Sequence, residues 1–174
     1  RSEVLDSVLA DYADGDIMVL AATVQSNSCY NPVNRFSNEL TRRQRRVVIS
    51  KEYEYSDEGS VDDKILICNF HKAKGLERKA VIVLGFDDAY FKFYDRQTSE
   101  DDRKNITNPF YVALTRASER LVLLHHYKNK ALPFVDEVEM TKVTEYCKCV
   151  RKKDATFFGA DCEKKDVDIS LSVR

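Results

Sequence analysis

Apolar residues follow two rhythms along this chain. In residues 2–13, Val4, Leu5, Val8, Leu9 and Tyr12 recur at helical spacing behind Ser2, a residue suited to capping. Asp14-Gly15-Asp16 closes that helix, and Ile17 to Ala22 then runs apolar without alternation. An unbroken apolar run of that length reads as a strand covered on both faces, the habit of parallel sheets. After the polar loop Gln25-Ser26-Asn27-Ser28, Pro32 suits a helix first turn, and Val33, Phe36 and Leu40 carry the pattern towards Arg46. Val47 to Ile49 is a short strand, and Asp57-Glu58-Gly59-Ser60 reads as a turn or flexible loop. Lys64 to Asn69 and Ala80 to Gly85 are two further strands. Residues 95–105 are polar and expected to be mobile, Pro109 opens a helix through Ala117, and Leu121 to His125 is another strong strand.

Strands alternating with helices predict an α/β layer fold with a mostly parallel sheet. Beyond Pro133 the pattern loosens. Thr141 to Val150 has strand character, and Val167 to Val173 alternates in period two. The expected organisation is a domain over 1–133 and a C-terminal extension over 134–174 leading towards a further region of the parent protein.

Composition narrows this picture modestly. The chain has 174 residues, 43% hydrophobic and 33% charged, which suits a soluble globular protein with a real core. The net charge is -1, so any nucleic-acid surface must concentrate its cations locally. No run approaches the roughly 18–20 apolar residues of a membrane span. The start, Arg1-Ser2-Glu3-Val4, has no signal-peptide pattern and no Met, as expected of an excised piece of a longer, intracellular chain. There are five cysteines. Cys68 falls in a strand, Cys147 and Cys149 are too closely spaced for a zinc knuckle, and Cys162 has no His nearby, so no metal site is expected.

Two segments carry candidate chemistry. Asn69-Phe70-His71-Lys72-Ala73-Lys74-Gly75-Leu76-Glu77 follows one strand and precedes another. A glycine there lets the backbone turn tightly and lets a polyanion approach. Lys72 and Lys74 add charge, and His71 is a donor to a phosphate or base. Glu77 would repel a phosphate but suits a ribose hydroxyl. The plain alternative is a solvated turn. The second segment, Phe110 to Ala117, puts Arg116 at the end of an apolar helical turn. A planar guanidinium in such a place can stabilise charge on a γ-phosphate during hydrolysis; the plain alternative is a surface Arg paired with Glu119. Because both segments adjoin strand ends, and ligands of open α/β sheets sit at carboxyl ends, one shared site is expected.

In this order the two segments resemble motifs V and VI of superfamily 1 helicases of the UvrD/Rep type. That family has T-x-H-x-x-K-G-L-E between two strands and later Y-V-A-hydrophobic-T-R-A before another. Here the first reads Asn69 to Glu77, with Asn for Thr, and the second matches throughout from Tyr111 to Ala117. The resemblance spans about residues 1–127 and implies a RecA-like second motor domain. It implies Glu77 on the ATP ribose, Arg116 as the arginine finger, and Gly75 shaping the loop at the nucleotide cleft. Asn69, His71 and Lys72 would face single-stranded nucleic acid, DNA in this family, in replication or repair, while Tyr111 and Thr115 would position the Arg-bearing helix. Ile17 to Ala22 resembles motif IV, but Ala21-Ala22-Thr23-Val24 stands where the family carries a phosphate-binding Arg; Arg35 is the substitute candidate.

Only residues 41–63 are spare between motifs IV and V. That is too little for the folded insertion of UvrD-type enzymes, so the chain resembles trimmed helicases such as those of large DNA viruses and RecD-like proteins, and a viral source is expected. None of the glycines at 15, 59, 75, 85 and 159 opens a phosphate-cradling G-x-x-x-x-G-K-[ST] loop. The implied partner is an N-terminal P-loop domain, which would hold most of the Mg2+, and the chain alone is expected to be inactive as an ATPase. The competing reading is a non-catalytic nucleic-acid-binding or interaction module of the same shape. Arg42-Arg43-x-Arg45-Arg46 is a possible basic patch or, as favoured, a structural cluster; Tyr90-Phe91-x-Phe93-Tyr94 is either a stacking surface or packing; and His125-His126 falls at a strand end.

Overall fold

The computed structural model describes residues 3–25, 31–50, 61–126, 128–136, 139–140, 144–150 and 167–173. In chain order the elements are α1 (Glu3–Asp11), β1 (Ile17–Ala21), α2 (Pro32–Arg42), β2 (Val47–Ile49), β3 (Ile65–Asn69), β4 (Arg78–Leu84), α3 (Ala89–Phe93), α4 (Asn108–Leu114), β5 (Ala117–Leu124), β6 (Thr144–Val150) and β7 (Val167–Val173). Among the described residues one sheet forms, ordered β2-β3-β1-β4-β5-β7-β6. The first five strands of that order are parallel, and β7 and β6 continue it in antiparallel pairing. The fold is the expected α/β layer. The boundary expected at residue 133 falls between β5 and the two C-terminal strands of the same sheet. The turn expected at 57–60 and Cys162 lie outside the described residues.

The apolar runs behave as the sheet demands. All five residues of β1 and all five of β3 are buried. Their side chains divide by parity between two cores. Ile17, Val19 and Ala21 join Ile65, Ile67, Ile82 and Val122 under α1 and α2, with Val8, Phe36 and Leu40. Met18 and Leu20 join Cys68, Val81 and Leu123 on the other face, under Phe70, Ala73, Phe91, Phe110 and Ala113. Burial pushes the Cys68 thiol up to about 12, against a smaller opposing effect of the Lys72 charge, so Cys68 is an inert core residue.

Helix boundaries are set by polar side chains. Asn31 caps α2, its Oδ1 accepting from the Val33 amide at 2.8 Å, with Pro32 in the first turn. Such a cap is worth about 1 kcal/mol. The helix was expected to reach Arg46 but stops at Arg42, because Gln44 takes φ 58 and the Arg45 amide turns back to the Leu40 carbonyl. The Arg run beyond it is a structural cluster. Arg43 pairs with Glu39 at 2.8 Å and with Asp6 of α1; Arg45 pairs with Asp14 at 2.5 Å and donates to the Tyr12 carbonyl; Arg46 pairs with Asp63; and Arg42 pairs with Glu39 at 2.6 Å. These contacts tie α1, α2 and two 3-10 turns, Asp14–Asp16 and Val61–Asp63, into one corner.

Gly15 stands where those turns touch: a Cβ there would meet the Asp62 carbonyl oxygen at 1.8 Å. Backbone on both sides leaves no side chain to move aside. Gly15→Ala is therefore expected to destabilise the fold by about 1–3 kcal/mol, read as a lower urea midpoint at unchanged m-value; an unchanged midpoint would contradict the contact.

Candidate functional site

The segment between β3 and β4 is a crossover, and its local chemistry shapes it. Asn69, at the end of β3, is 5% exposed. Its Oδ1 accepts from the Lys72 amide at 2.9 Å, three residues on, as an N-cap side chain does at the start of a helical turn. The Asn69 carbonyl accepts from the Ala73 amide at 3.2 Å, and the Ala73 carbonyl from the Leu76 amide at 3.0 Å. This short coil lays Phe70 and Ala73, three apart, onto the sheet and leaves His71, Lys74, Gly75, Leu76 and Glu77 exposed. Lys72 is half-buried, and its ammonium donates to Ser50 Oγ at 3.2 Å beyond β2. Gly75 has φ +84, a left-handed conformation that ends the coil and that other residues adopt only with strain.

The second segment is α4 and the turn after it. Phe110 and Ala113 anchor the helix in the core, while Tyr111 is 58% exposed. The helix was expected to extend through Ala117 but ends at Leu114. Thr115 Oγ1 donates to the Tyr111 carbonyl at 2.9 Å, and Arg116 Nε donates to the Val112 carbonyl at 3.0 Å. The chain then enters β5 at once, through residues too polar to announce a strand.

Arg116 joins the two segments. Its Nη1 donates to the Leu76 carbonyl at 3.2 Å and its Nη2 to Thr115 Oγ1 at 2.9 Å. Its own carbonyl accepts from the Arg78 amide at 3.1 Å. The guanidinium thus goes to the crossover and not to Glu119. Its acceptors here are neutral oxygens, and carbonyls at a helix C-terminus suit a cation. Glu77 lies exposed beside it, because Arg78 is the register partner of Ala117 and neighbouring strands are about 4.8 Å apart. Arg78 adds a second guanidinium to this edge, and its place could not be read from the sequence, because a cation at the start of an apolar strand gives no signal of its own.

The register also corrects one expectation. Glu77 and Arg116 stand at the amino ends of β4 and β5, whereas Asn69, paired with Ala21, ends β3 at the carboxyl edge. The seven residues of β4 separate those edges by about 20 Å. The candidate residues therefore do not share one carboxyl-edge site. The reason is topological: a parallel crossover must return the chain from one edge to the other, and the motif is that crossover. Glu77, Gly75 and Arg116 fall at its amino-edge end, and Asn69, His71 and Lys72 at its carboxyl-edge end. Arg35 lies in the first turn of α2, the helix that follows β1 from its carboxyl end.

A cleft of about 310 Å³ opens at the carboxyl edge over β1, β4 and β5, walled by α3. Phe93 and Tyr94 of its rim are 65% and 54% exposed. The sequence showed this aromatic run, but the five-residue helix that carries it was not predicted. His125 and His126, just past β5, line the same cleft.

Over 107 residues the chain is 28% identical to "Probable DNA helicase II homolog" of Mycoplasma capricolum subsp. capricolum, covering 57% of this chain and 15% of that protein. It is 26% identical over 136 residues to "ATP-dependent DNA helicase PcrA" of Staphylococcus aureus, covering 71% of this chain and 19% of that protein. The chain thus spans under a fifth of either relative. Both are bacterial, and nothing in them supports the expected viral source. A crystal structure of the C-terminal domain of a possible DNA helicase from Lactobacillus plantarum WCFS1 superposes with a TM-score of 0.47 at 17% identity, over 78% of this chain and 73% of that one. Among the described residues no helix is long and apolar enough to cross a membrane. The family profile of the UvrD-like helicase C-terminal domain matches residues 17–128, which takes in β1 to β5 and both segments; the chain belongs to that family.

Proposed function

We propose that this chain is the second motor domain of an ATP-dependent DNA helicase and forms one wall of its nucleotide site. The observation that carries this reading is the bond from Arg116 to the Leu76 carbonyl. It holds the one guanidinium of the second segment beside Glu77 and the Gly75 turn. ATP would lie between this edge and a P-loop domain elsewhere in the parent protein. That domain would supply the phosphate cradle and hold most of the Mg2+.

Glu77, exposed and unable to tolerate a phosphate, takes the ribose hydroxyls. Arg116 exchanges its neutral acceptors, Leu76 and Thr115, for γ-phosphate oxygens when the cleft closes. A phosphate oxygen offers the guanidinium a full opposite charge and bidentate geometry, which a carbonyl or a hydroxyl does not. The exchange is therefore favourable while the γ-phosphate is present and reverses after it leaves. Releasing and recapturing Leu76 tugs on the crossover, whose other end carries His71 and Lys72 at the carboxyl edge. Single-stranded DNA would cross there, with His71 and the half-buried Lys72 facing it. Asn69 serves this edge by fixing the turn, with its side chain buried. Binding through phosphates makes the strand contact salt-dependent and tolerant of sequence.

One observation favours the competing reading of a non-catalytic module: the strand β1 leads into Ala21-Ala22-Thr23-Val24 with no Arg. Kinetics separate the two. In the parent protein, Arg116→Ala is expected to lower kcat for DNA-stimulated ATP hydrolysis by about 10³-fold or more, with Arg116→Lys restoring little. Glu77→Gln is expected mainly to raise KM for ATP. A parent whose turnover survives Arg116→Ala would exclude the motor reading. The 174-residue chain by itself is expected to show no ATP turnover; turnover abolished by Arg116→Ala would refute the division of labour.

A further inference from the structure

The carboxyl edge holds a contact that lies outside both segments. Ser50 follows β2, and its amide donates to the Ile67 carbonyl of β3 at 2.9 Å, adding one bond beyond the Ile49–Ile67 register pair. That bond places Ser50 beside the end of β3. Lys72 reaches the same place from the crossover. Its amide is held by Asn69 Oδ1, and Asn69 is itself buried. Both backbones are therefore fixed, and the Lys72 side chain spans the gap between them. Its ammonium donates to Ser50 Oγ at 3.2 Å, between residues 22 apart in sequence. Burial raises the Cys68 thiol and the Lys72 charge opposes that rise, so the ammonium lies close to the end of β3.

This pairing does two things. A lysine side chain has much rotamer freedom to lose on binding. One already held by a hydroxyl has lost part of it before a ligand arrives, which is preorganisation. The hydroxyl is also not used up. Its oxygen accepts from Lys72, because an ammonium can only donate, and that leaves its own proton for another acceptor. Ser50 and Lys72 thus present an O–H and N–H groups side by side at one rim. Both residues are half-buried, so the pair is reached from the carboxyl edge and not from all sides. Adjacent donors of which one is charged suit an anion with several oxygens, and a phosphate is such a group. The exposed His71 stands next to Lys72 in the chain, so a phosphate here continues the strand track.

We infer that Ser50 is a further strand-binding residue: its hydroxyl holds the Lys72 ammonium in place and donates beside it to the same backbone phosphate. The inference rests on the strand-binding reading above and adds to it a residue of β2's end that neither helicase motif contains.

The test uses the 174-residue chain and a fluorescent single-stranded DNA of about ten nucleotides, within the usual site size. Affinity is measured against salt concentration for wild type, Ser50→Ala, Ser50→Thr, Lys72→Ala and the Ser50→Ala/Lys72→Ala double variant. Unchanged circular dichroism spectra and urea midpoints confirm folding. Lys72→Ala is expected to weaken binding and to lower the salt slope by about 0.7, the value for one phosphate of a single strand. Ser50→Ala is expected to weaken binding by about 3- to 10-fold, the worth of one hydrogen bond, with the slope unchanged because no charge is removed. Ser50→Thr keeps the hydroxyl and is expected to bind as wild type does. The double variant is expected to lose less than the product of the two single losses, because the residues act on one phosphate. Ser50→Ala binding as tightly as wild type, or losses that multiply in the double variant, would overturn the role of Ser50 and leave the strand-binding reading in place. A silent Lys72→Ala, or a wild-type chain that binds no strand, would overturn that reading and the inference with it.

Discussion

The structure turns on one constraint: eight residues must carry the chain from the carboxyl end of β3 to the amino end of β4, across the intervening β1. A helix would be the usual solution. This chain uses a short coil that starts on the Asn69 side chain, buries Phe70 and Ala73, and ends at the positive φ of Gly75. The last step, Leu76 to Arg78, is clipped to the turn before β5 by Arg116 through its side chain and its carbonyl. The crossover is thus held at both ends by polar groups and in the middle by the core.

That arrangement explains why the chemistry is divided. Residues close in sequence are spread over two edges of the sheet, because the segment spans it. The amino edge, with Glu77, Arg78 and Arg116, where we propose the nucleotide lies, and the carboxyl edge, with His71 and Lys72, where we propose the strand crosses, are joined by one short backbone segment. Ala73 at its centre is fully buried against Met18 and Leu20. Close packing of this kind transmits displacement, since cores do not deform continuously.

Much of the fold was legible because parallel strands need apolar residues on both faces. The runs 17–22, 47–49, 64–69 and 80–85 lie within a residue or two of the observed strands. Elements without that signal were not legible. The first half of β5 is half-exposed and polar, α3 is a single turn, and the stop of α2 depends on a left-handed Gln44 that no composition rule marks. The candidate residues were legible as types and spacings. Their separation was not, because strand register is a property of pairing and not of either segment. The Arg run shows the converse: a basic cluster that looks like a surface for polyanions is paired with Asp6, Asp14, Glu39 and Asp63, with Arg43 and Arg45 half-buried in those pairs and Arg42 and Arg46 exposed.

We propose that strand binding and nucleotide sensing occupy opposite edges of this sheet. Single-stranded DNA affinity of the isolated chain, measured against salt concentration, tests it most directly. Arg116→Ala is expected to leave affinity within about 2-fold. His71→Ala with Lys72→Ala should weaken binding and lower the salt slope by about 0.7 for each phosphate no longer neutralised. Equal weakening by Arg116→Ala, with the His71 and Lys72 substitutions silent, would contradict it.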